Sequence, residues 1–321
     1  MAAVAAAGAA SAQVTLGGEF AYGYLSSTDA AGVNTSGGGR DTAQLVFGAK
    51  EDIGGGYSVE VKMKLNTGSF GAGAASDDQS LTLTTPIGAA SFLIYKPGNW
   101  VTGASGGATW YGLDGYNLAS RSTRDGMAFT APLADGLTAT VAWLEPANLL
   151  GEGTGNAGTT KQSLYNVGGK YSSGPVVLQA AYLSYTNVTA TDLTTDNVTR
   201  LGGTYDAGVA KLGAAIQIAK GGGGGTNTET AISLSAPLSG NLSIAGMWAS
   251  NKYDMAASSP LAPQNGTRSG YTLQAQYNLS KRTYVIAGTG TYTGNASTAA
   301  SIVANDTKDS SFTHLTLVHD F

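Results

Sequence analysis

The chain has 321 residues, 47 Gly, 8 Pro and no Cys, with charged residues at 12% and a net charge of −4. That charge content is about half of the roughly 25% typical of a soluble domain, while the hydrophobic share of 42% is ordinary. Absent cysteine excludes a disulfide framework, thiol catalysis and Cys-based zinc, the small negative charge argues against nucleic acid as a partner, and no apolar run reaches the ~18 residues of a membrane-spanning helix.

The chain opens on its longest apolar stretch, MAAVAAAGAASA. Ala10-Ser11-Ala12 before Gln13 has the small-residue form of a signal-peptidase site, with no basic region ahead of it. Residues 1–12 are therefore expected to be a residual signal peptide-like segment, with a disordered Ala-rich tail as the plainer alternative. Residues 13–321 are expected to be one structural unit, since no break in composition divides them.

From Gln13 onward the pattern alternates with period 2, the signature of strands with unlike faces. Val14, Leu16, Phe20, Tyr22 and Tyr24 share one parity, and Thr15, Gly17, Glu19, Ala21 and Gly23 the other. In the next strand Leu45 and Phe47 oppose Arg40, Thr42, Gln44 and Lys50; in the third, Val61, Met63 and Leu65 oppose Glu60, Lys62 and Lys64. Near the end Tyr271, Leu273, Ala275 and Tyr277 oppose Thr272, Gln274, Gln276 and Asn278. A Lys or Arg on the lipid face at mid-membrane costs about 2–4 kcal/mol. Three such placements would consume most of a folding stability of about 5–15 kcal/mol. In a membrane wall the apolar row must face lipid and the charged row must face water, the reverse of a soluble barrel.

Connections alternate between short and long. Short turns are expected at Glu51–Gly56, Pro86–Ala89, Leu133–Gly136, Ser172–Pro175, Asp206–Val209, Pro237–Asn241 and Ser280–Arg282. Longer stretches rich in Gly, Ser, Thr, Asn and Asp lie at 27–39, 67–78, 96–123, 147–161, 188–195, 220–227, 253–268 and 295–309. Seven short and eight long connections join sixteen strands, an even count with short turns on one side, as in bacterial outer-membrane barrels. The longest connection, 96–123, carries Trp100, Trp110, Tyr111 and Tyr116. Aromatic residues in a long loop imply that it packs on something, and the inner wall is the available surface. It is expected to fold inward and narrow the pore. A sugar slide built from the same aromatics is the alternative.

Arg40, Lys62 and Lys64 have lumen parity on adjacent strands, and Arg121 and Arg124 close the long loop. Lys170, Arg200 and Lys211 also read as inward, against the acids Glu19, Glu60 and Glu229. A ring of one sign in a narrow pore selects ions by charge. The expected constriction set is Arg40, Lys62, Lys64, Arg121, Arg124, Asp114 and Glu60, mildly favouring anions; the plainer reading is a scatter of solvated lumen residues. His314 and His319 sit five apart on a strand and point to opposite faces, so no metal site is expected. Gly37-Gly38-Gly39 and Gly221–Gly225 lack the Gly-Lys-Ser/Thr ending of a phosphate loop. No Ser has a His and a carboxylate in a catalytic arrangement, so neither enzyme activity nor a cofactor is expected.

Four segments resemble the Gram-negative general porins, in particular their β-proteobacterial and neisserial branch. Val14-Thr15-Leu16-Gly17-Gly18 is similar to the family's opening strand, and LVFGAKEDIGGGY from Leu45 to Tyr57 to its second strand and glycine-rich turn. YNLSKRTY from Tyr277 to Tyr284 resembles a late family turn, and Val318-His319-Asp320-Phe321 its closing aromatic strand, used there as an assembly signal. The resemblance implies an all-β fold, a 16-stranded antiparallel transmembrane β-barrel with an inward-folded third loop, in the outer membrane. It implies passive diffusion of small hydrophilic solutes and ions, a homotrimer, and contact with membrane lipid and lipopolysaccharide. It also implies an eyelet where basic wall residues face the third loop. The Pro-Glu-Phe-Gly stretch that several porins carry there is missing here, and Asp114 is the only carboxylate between Lys96 and Arg121. The alternatives to a general pore are a porin specific for an organic acid or sugar, and a non-channel surface β-protein such as an adhesin. Against a solenoid adhesin stands the absence of an internal repeat of about 20–50 residues.

Overall fold

A computed structural model of the chain describes residues 13–28, 32–66, 75–95, 99–106, 124–146, 163–191, 194–259, 262, 265–293 and 311–321. Its strands are β1 (Gln13–Thr28), β2 (Asn34–Gly54), β3 (Tyr57–Asn66), β4 (Ala75–Thr85), β5 (Gly88–Tyr95), β6 (Arg124–Ala134), β7 (Leu137–Pro146) and β8 (Leu164–Ser173). They continue with β9 (Val176–Tyr185), β10 (Thr195–Asp206), β11 (Lys211–Gly221), β12 (Thr226–Pro237), β13 (Leu242–Asp254), β14 (Gly266–Asn278), β15 (Thr283–Thr293) and β16 (Ser311–Asp320). One short helix, α1 (Trp100–Ala104), lies in the connection from β5 to β6. Each strand pairs with its sequence neighbour and β16 pairs antiparallel with β1, so the sheet closes into a barrel of sixteen strands. Closure removes the free strand edges that would otherwise expose unpaired backbone groups to lipid.

The short turns fall where Gly, Pro and polar residues predict them. Gly54, Gly55 and Gly56 have φ of 88°, 64° and 83°; three successive left-handed residues fit without strain only as glycine. Some of the long connections are shorter than the composition suggests. β2 begins at Asn34, so most of 27–39 is strand, and 220–227 shrinks to the turn between Gly221 and Thr226. Gly- and Thr-rich sequence resembles loop in composition, but strand pairing supplies hydrogen bonds whatever the side chain.

The two rows face opposite ways. Ile232 is 52% exposed while its neighbour Ala231 is 0% exposed and packs against α1 residues Val101 and Ala104. α1 and Ile232 are therefore on opposite faces of the wall. Carried round the barrel by register, the outer row holds Leu234, Leu201, Tyr182, Val167, Val141, Met127, Phe92, Leu81, Met63, Phe47, Leu16, Leu317, Leu273 and Trp248, all exposed large hydrophobics. Lys62 pairs with Gly48 and Ser80 on the opposite row, which faces inward. Apolar side chains thus cover the outside and polar ones line the inside, as the cost of a charge in lipid demands.

Candidate functional site

The inner wall of β2–β4 is open. Lys62 Nζ lies 2.9 Å from Glu60 Oε1, with the two side chains 57% and 34% exposed. An exposed pair of this kind contributes about 0–1 kcal/mol, so it shapes the local charge more than the stability. Lys62, Lys64 and Asp78 border one hollow with Val46, Ser80 and Leu93. Asp78 belongs to β4, which starts at Ala75 inside a stretch that reads as loop; its place beside the lysine pair follows only from that extra strand length. Further round, hydroxyl pairs line the inner row: Thr82 with Ser91 at 3.0 Å and Thr130 with Thr140 at 2.8 Å.

Arg40 stands apart from this group. A β-bulge between β1 and β2 puts Thr42 opposite Ala21 but Arg40 opposite Tyr22, a residue of the exposed outer row. The extra residue, Asp41, breaks the alternation, so parity does not carry Arg40 to the lumen. Arg124, at the start of β6, places its guanidinium 5.8 Å from the centroid of the Tyr185 ring on β9. Lys170 and Lys211 keep inner parity, as does Glu19, opposite Gln44 and Asp320. Arg121, Asp114, Trp110, Tyr111 and Tyr116 lie outside the described residues.

The wall of β10–β14 differs. Arg200, Gln217, Glu229, Asn251 and Arg268 stand opposite one another on five successive strands. Arg200 Nε donates to Gln217 Oε1 at 2.7 Å, Gln217 Nε2 donates to Glu229 Oε2 at 3.2 Å, and Asn251 Nδ2 donates to Glu229 Oε1 at 3.3 Å. A buried carboxylate needs such donors on both oxygens. The Arg200 guanidinium also lies 5.5 Å from the Trp100 ring, and that of Arg268 5.7 Å from the Tyr253 ring.

α1 rests on this wall. Asn99 caps it, its side chain accepting from Thr102 N at 3.0 Å. Val101 and Ala104 pack on Ala215, Ala231 and Met247, with Trp100 alongside. Parity marks Arg200 and Glu229 as inward, but the row that aligns them with Gln217 and Asn251 is set by pairing register, which sequence does not display. Among the described residues there is no group of three or more His, Cys, Asp or Glu arranged to hold a metal.

A family model described as Gram-negative porin matches residues 1–297. No curated protein sequence matches the chain. Several solved structures are similar in fold. The anion-selective porin from Comamonas acidovorans is 19% identical, with 97% of this chain and 100% of that one covered and a TM-score of 0.69. The in-vitro folded OmpT of Vibrio cholerae, in its trimer form, is 14% identical, with coverage of 97% and 100% and a TM-score of 0.68. A mutant of the Rh. blastica porin is 12% identical, with coverage of 96% and 100% and a TM-score of 0.64.

Proposed function

The chain belongs to the Gram-negative porin family, and on that premise we propose how its pore discriminates among solutes. It is an outer-membrane diffusion channel, not an enzyme: a closed sixteen-strand barrel, apolar outside and polar inside. Its selectivity is mildly anion-favouring. The observation that carries this reading is the exposed Lys62 ammonium on the inner wall, with Lys64 bordering the same hollow. Glu60 and Asp78 beside them bring the formal charge of the four to zero, so the preference comes from Lys62 being the more exposed member of its pair, and it is mild. The wider constriction set is Lys62, Lys64, Arg121, Arg124, Asp114 and Glu60, of which Arg121 and Asp114 belong by sequence; Arg40, taken off the lumen parity by the bulge at Asp41, is left out of it.

The third connection, 96–123, narrows the lumen; the packing of α1 on the inner side of β10–β12 supports this. The chain works as a homotrimer in contact with membrane lipid and lipopolysaccharide, a reading supported by the exposed apolar outer row. Residues 1–12 act as an export segment and 13–321 as the pore-forming unit. A sugar-specific channel is less favoured, because Trp100 is stacked on Arg200 rather than presented along the path. The test is single-channel recording of the purified protein in a planar bilayer under a salt gradient. A reversal potential displaced toward the anion is expected. Absence of conductance would overturn the channel, and a cation-selective potential the charge assignment.

A further inference from the structure

The outer row changes character toward the long connections. Trp248 and Tyr271 pair across β13 and β14 and are both exposed, an aromatic girdle at the edge of the apolar band. Beyond them the same row turns polar: Ser250 pairs with Ser269, and Lys252 with Thr267. Lys252 lies four residues past Trp248 on β13, about 9 Å further from the midplane on a tilted strand, where headgroups lie. Lys220 ends the outer row of β11, directly before the turn between Gly221 and Thr226. It pairs with Thr226 of β12, as Lys252 pairs with Thr228. The two lysine backbones are therefore two strand spacings and two residues apart, about 12 Å, a gap that two long side chains can close on one phosphate. Lys252 Nζ stands 3.6 Å from Asp254 Oδ2 with both side chains well exposed. Two lysines against that one carboxylate leave the edge positive.

Below the girdle the outer wall is hollow. Gly246, Ala275 and Ala287 set small residues among Leu234, Ile244 and Leu273, and the depression holds ≈ 560 Å³, within the roughly 300–1,000 Å³ of ligand pockets. Gly246 is two residues below Trp248, so the hollow opens in the upper part of the apolar band. Another hollow, of ≈ 410 Å³, lies among Phe92, Met127, Val141 and Tyr165 on β5–β8. Its rim has the opposite sign: Asp125 and Glu145 pair on the outer row beyond Met127 and Trp143. Of the two, the first alone joins a cationic rim to an apolar seat.

We propose that the outer face of β11–β15 holds a lipopolysaccharide molecule in a fixed position, with Lys220 and Lys252 on a phosphate of its lipid A headgroup and an acyl chain in the hollow at Gly246, Ala275 and Ala287. The Thr226 and Thr228 hydroxyls between the lysines offer hydrogen bonds to its sugar. Long connections face the outside of the cell in outer-membrane barrels, which puts this rim in the outer leaflet. The inference rests on the outer-membrane reading above and narrows general lipid contact to one face.

The probe is purified lipid A, titrated into the folded full-length protein in detergent and read by native mass spectrometry. Wild-type protein is expected to bind lipid A more tightly than its dephosphorylated form. Lys220→Gln with Lys252→Gln should weaken lipid A about thirtyfold, the value of two interfacial lysines against an anionic lipid surface, and Lys220→Arg with Lys252→Arg should restore it. Ala275→Leu with Ala287→Leu fills the hollow with atoms that lipid tolerates, and should weaken both forms severalfold. Ala90→Leu, in the hollow below Asp125 and Glu145, should leave binding as in wild type. Equal binding of the two lipid A forms, or full affinity in the glutamine double variant, would overturn the phosphate site. Equal loss in Ala90→Leu and in the filled hollow would reduce the seat to ordinary lipid-facing wall and end the proposal. Phosphatidylglycerol bound as tightly as lipid A would overturn the glycolipid assignment. Silent wild-type protein in a planar bilayer that still binds lipid A would sink the channel reading and leave this site standing; a conducting protein that binds no lipid A would do the reverse.

Discussion

Gly18 and Phe321 clasp the two ends of the barrel: Gly18 N donates to Phe321 O at 3.0 Å and Phe321 N donates to Gly18 O at 3.1 Å. A side chain at Gly18 would run into the Gln44 carbonyl oxygen on β2 and start 2.6 Å from the Phe321 ring. This reciprocal pair extends the β1–β16 ladder by one step and seals the seam where the first and last strands meet. A bulky residue at 18 would force the ring away, and overpacking of this kind costs about 1–3 kcal/mol. Gly18→Leu is expected to lower the temperature at which the barrel loses its compact mobility in an unheated gel. Gly37, with nothing within 4 Å of where a side chain would start, provides the control. Equal melting of the two variants would show that the seam does not need a glycine.

The lysine pair on β3 has a second test. Lys62→Glu with Lys64→Glu turns an open wall whose charges balance Glu60 and Asp78 into a negative one. Zero-current potentials in a tenfold salt gradient should move toward the cation. An unchanged ratio would place both residues away from the narrowest section.

Opposite rows of one strand should respond oppositely to the same charge. Met63 is on the outer row and 46% exposed, so Met63→Lys sets an ammonium against lipid at a cost of about 2–4 kcal/mol if it lies near mid-membrane. Ser80, opposite Lys62 on the inner row, should accept lysine with little loss. Urea titration of folded protein in liposomes reads both, and equal destabilisation would contradict the facing of the two rows.

Excision of residues 100–118 removes α1 together with much of the third connection. The unitary conductance is expected to rise. A barrel that folds and conducts at the original level would show that this connection does not limit flow.

Cleavage after Ala12 would leave Gln13, the first residue of β1, at the new N-terminus. Intact-mass measurement of protein extracted from outer membranes is expected to give the mass of 13–321. Retention of residues 1–12 would refute the export reading.

Much of this architecture is local and so legible in sequence. Period-2 alternation in Val14 to Tyr24 needs only neighbouring residues, and it fixes which side chains share a face. The Gly54–Gly56 turn, the Pro- and Asn-rich turns and the shortage of charge give the strand number and the membrane setting. Arg40 shows where this reasoning stops: one extra residue, Asp41, in the β1–β2 pairing exchanges faces for everything before it. Asp78 shows a second limit, since a strand beginning in polar sequence reads as loop until its partner supplies the hydrogen bonds.

The sequence by itself determined that the strands make an alternating wall with its apolar row toward lipid, because the cost of a charge in hydrocarbon acts on each residue separately. Only the tertiary structure decided what the inside of that wall does. Ser105 meets Ser233 across 128 residues of chain, and Arg200, Gln217, Glu229 and Asn251 align only when four strands take their registers. Contacts between distant segments depend on barrel closure and strand stagger, which no local pattern encodes.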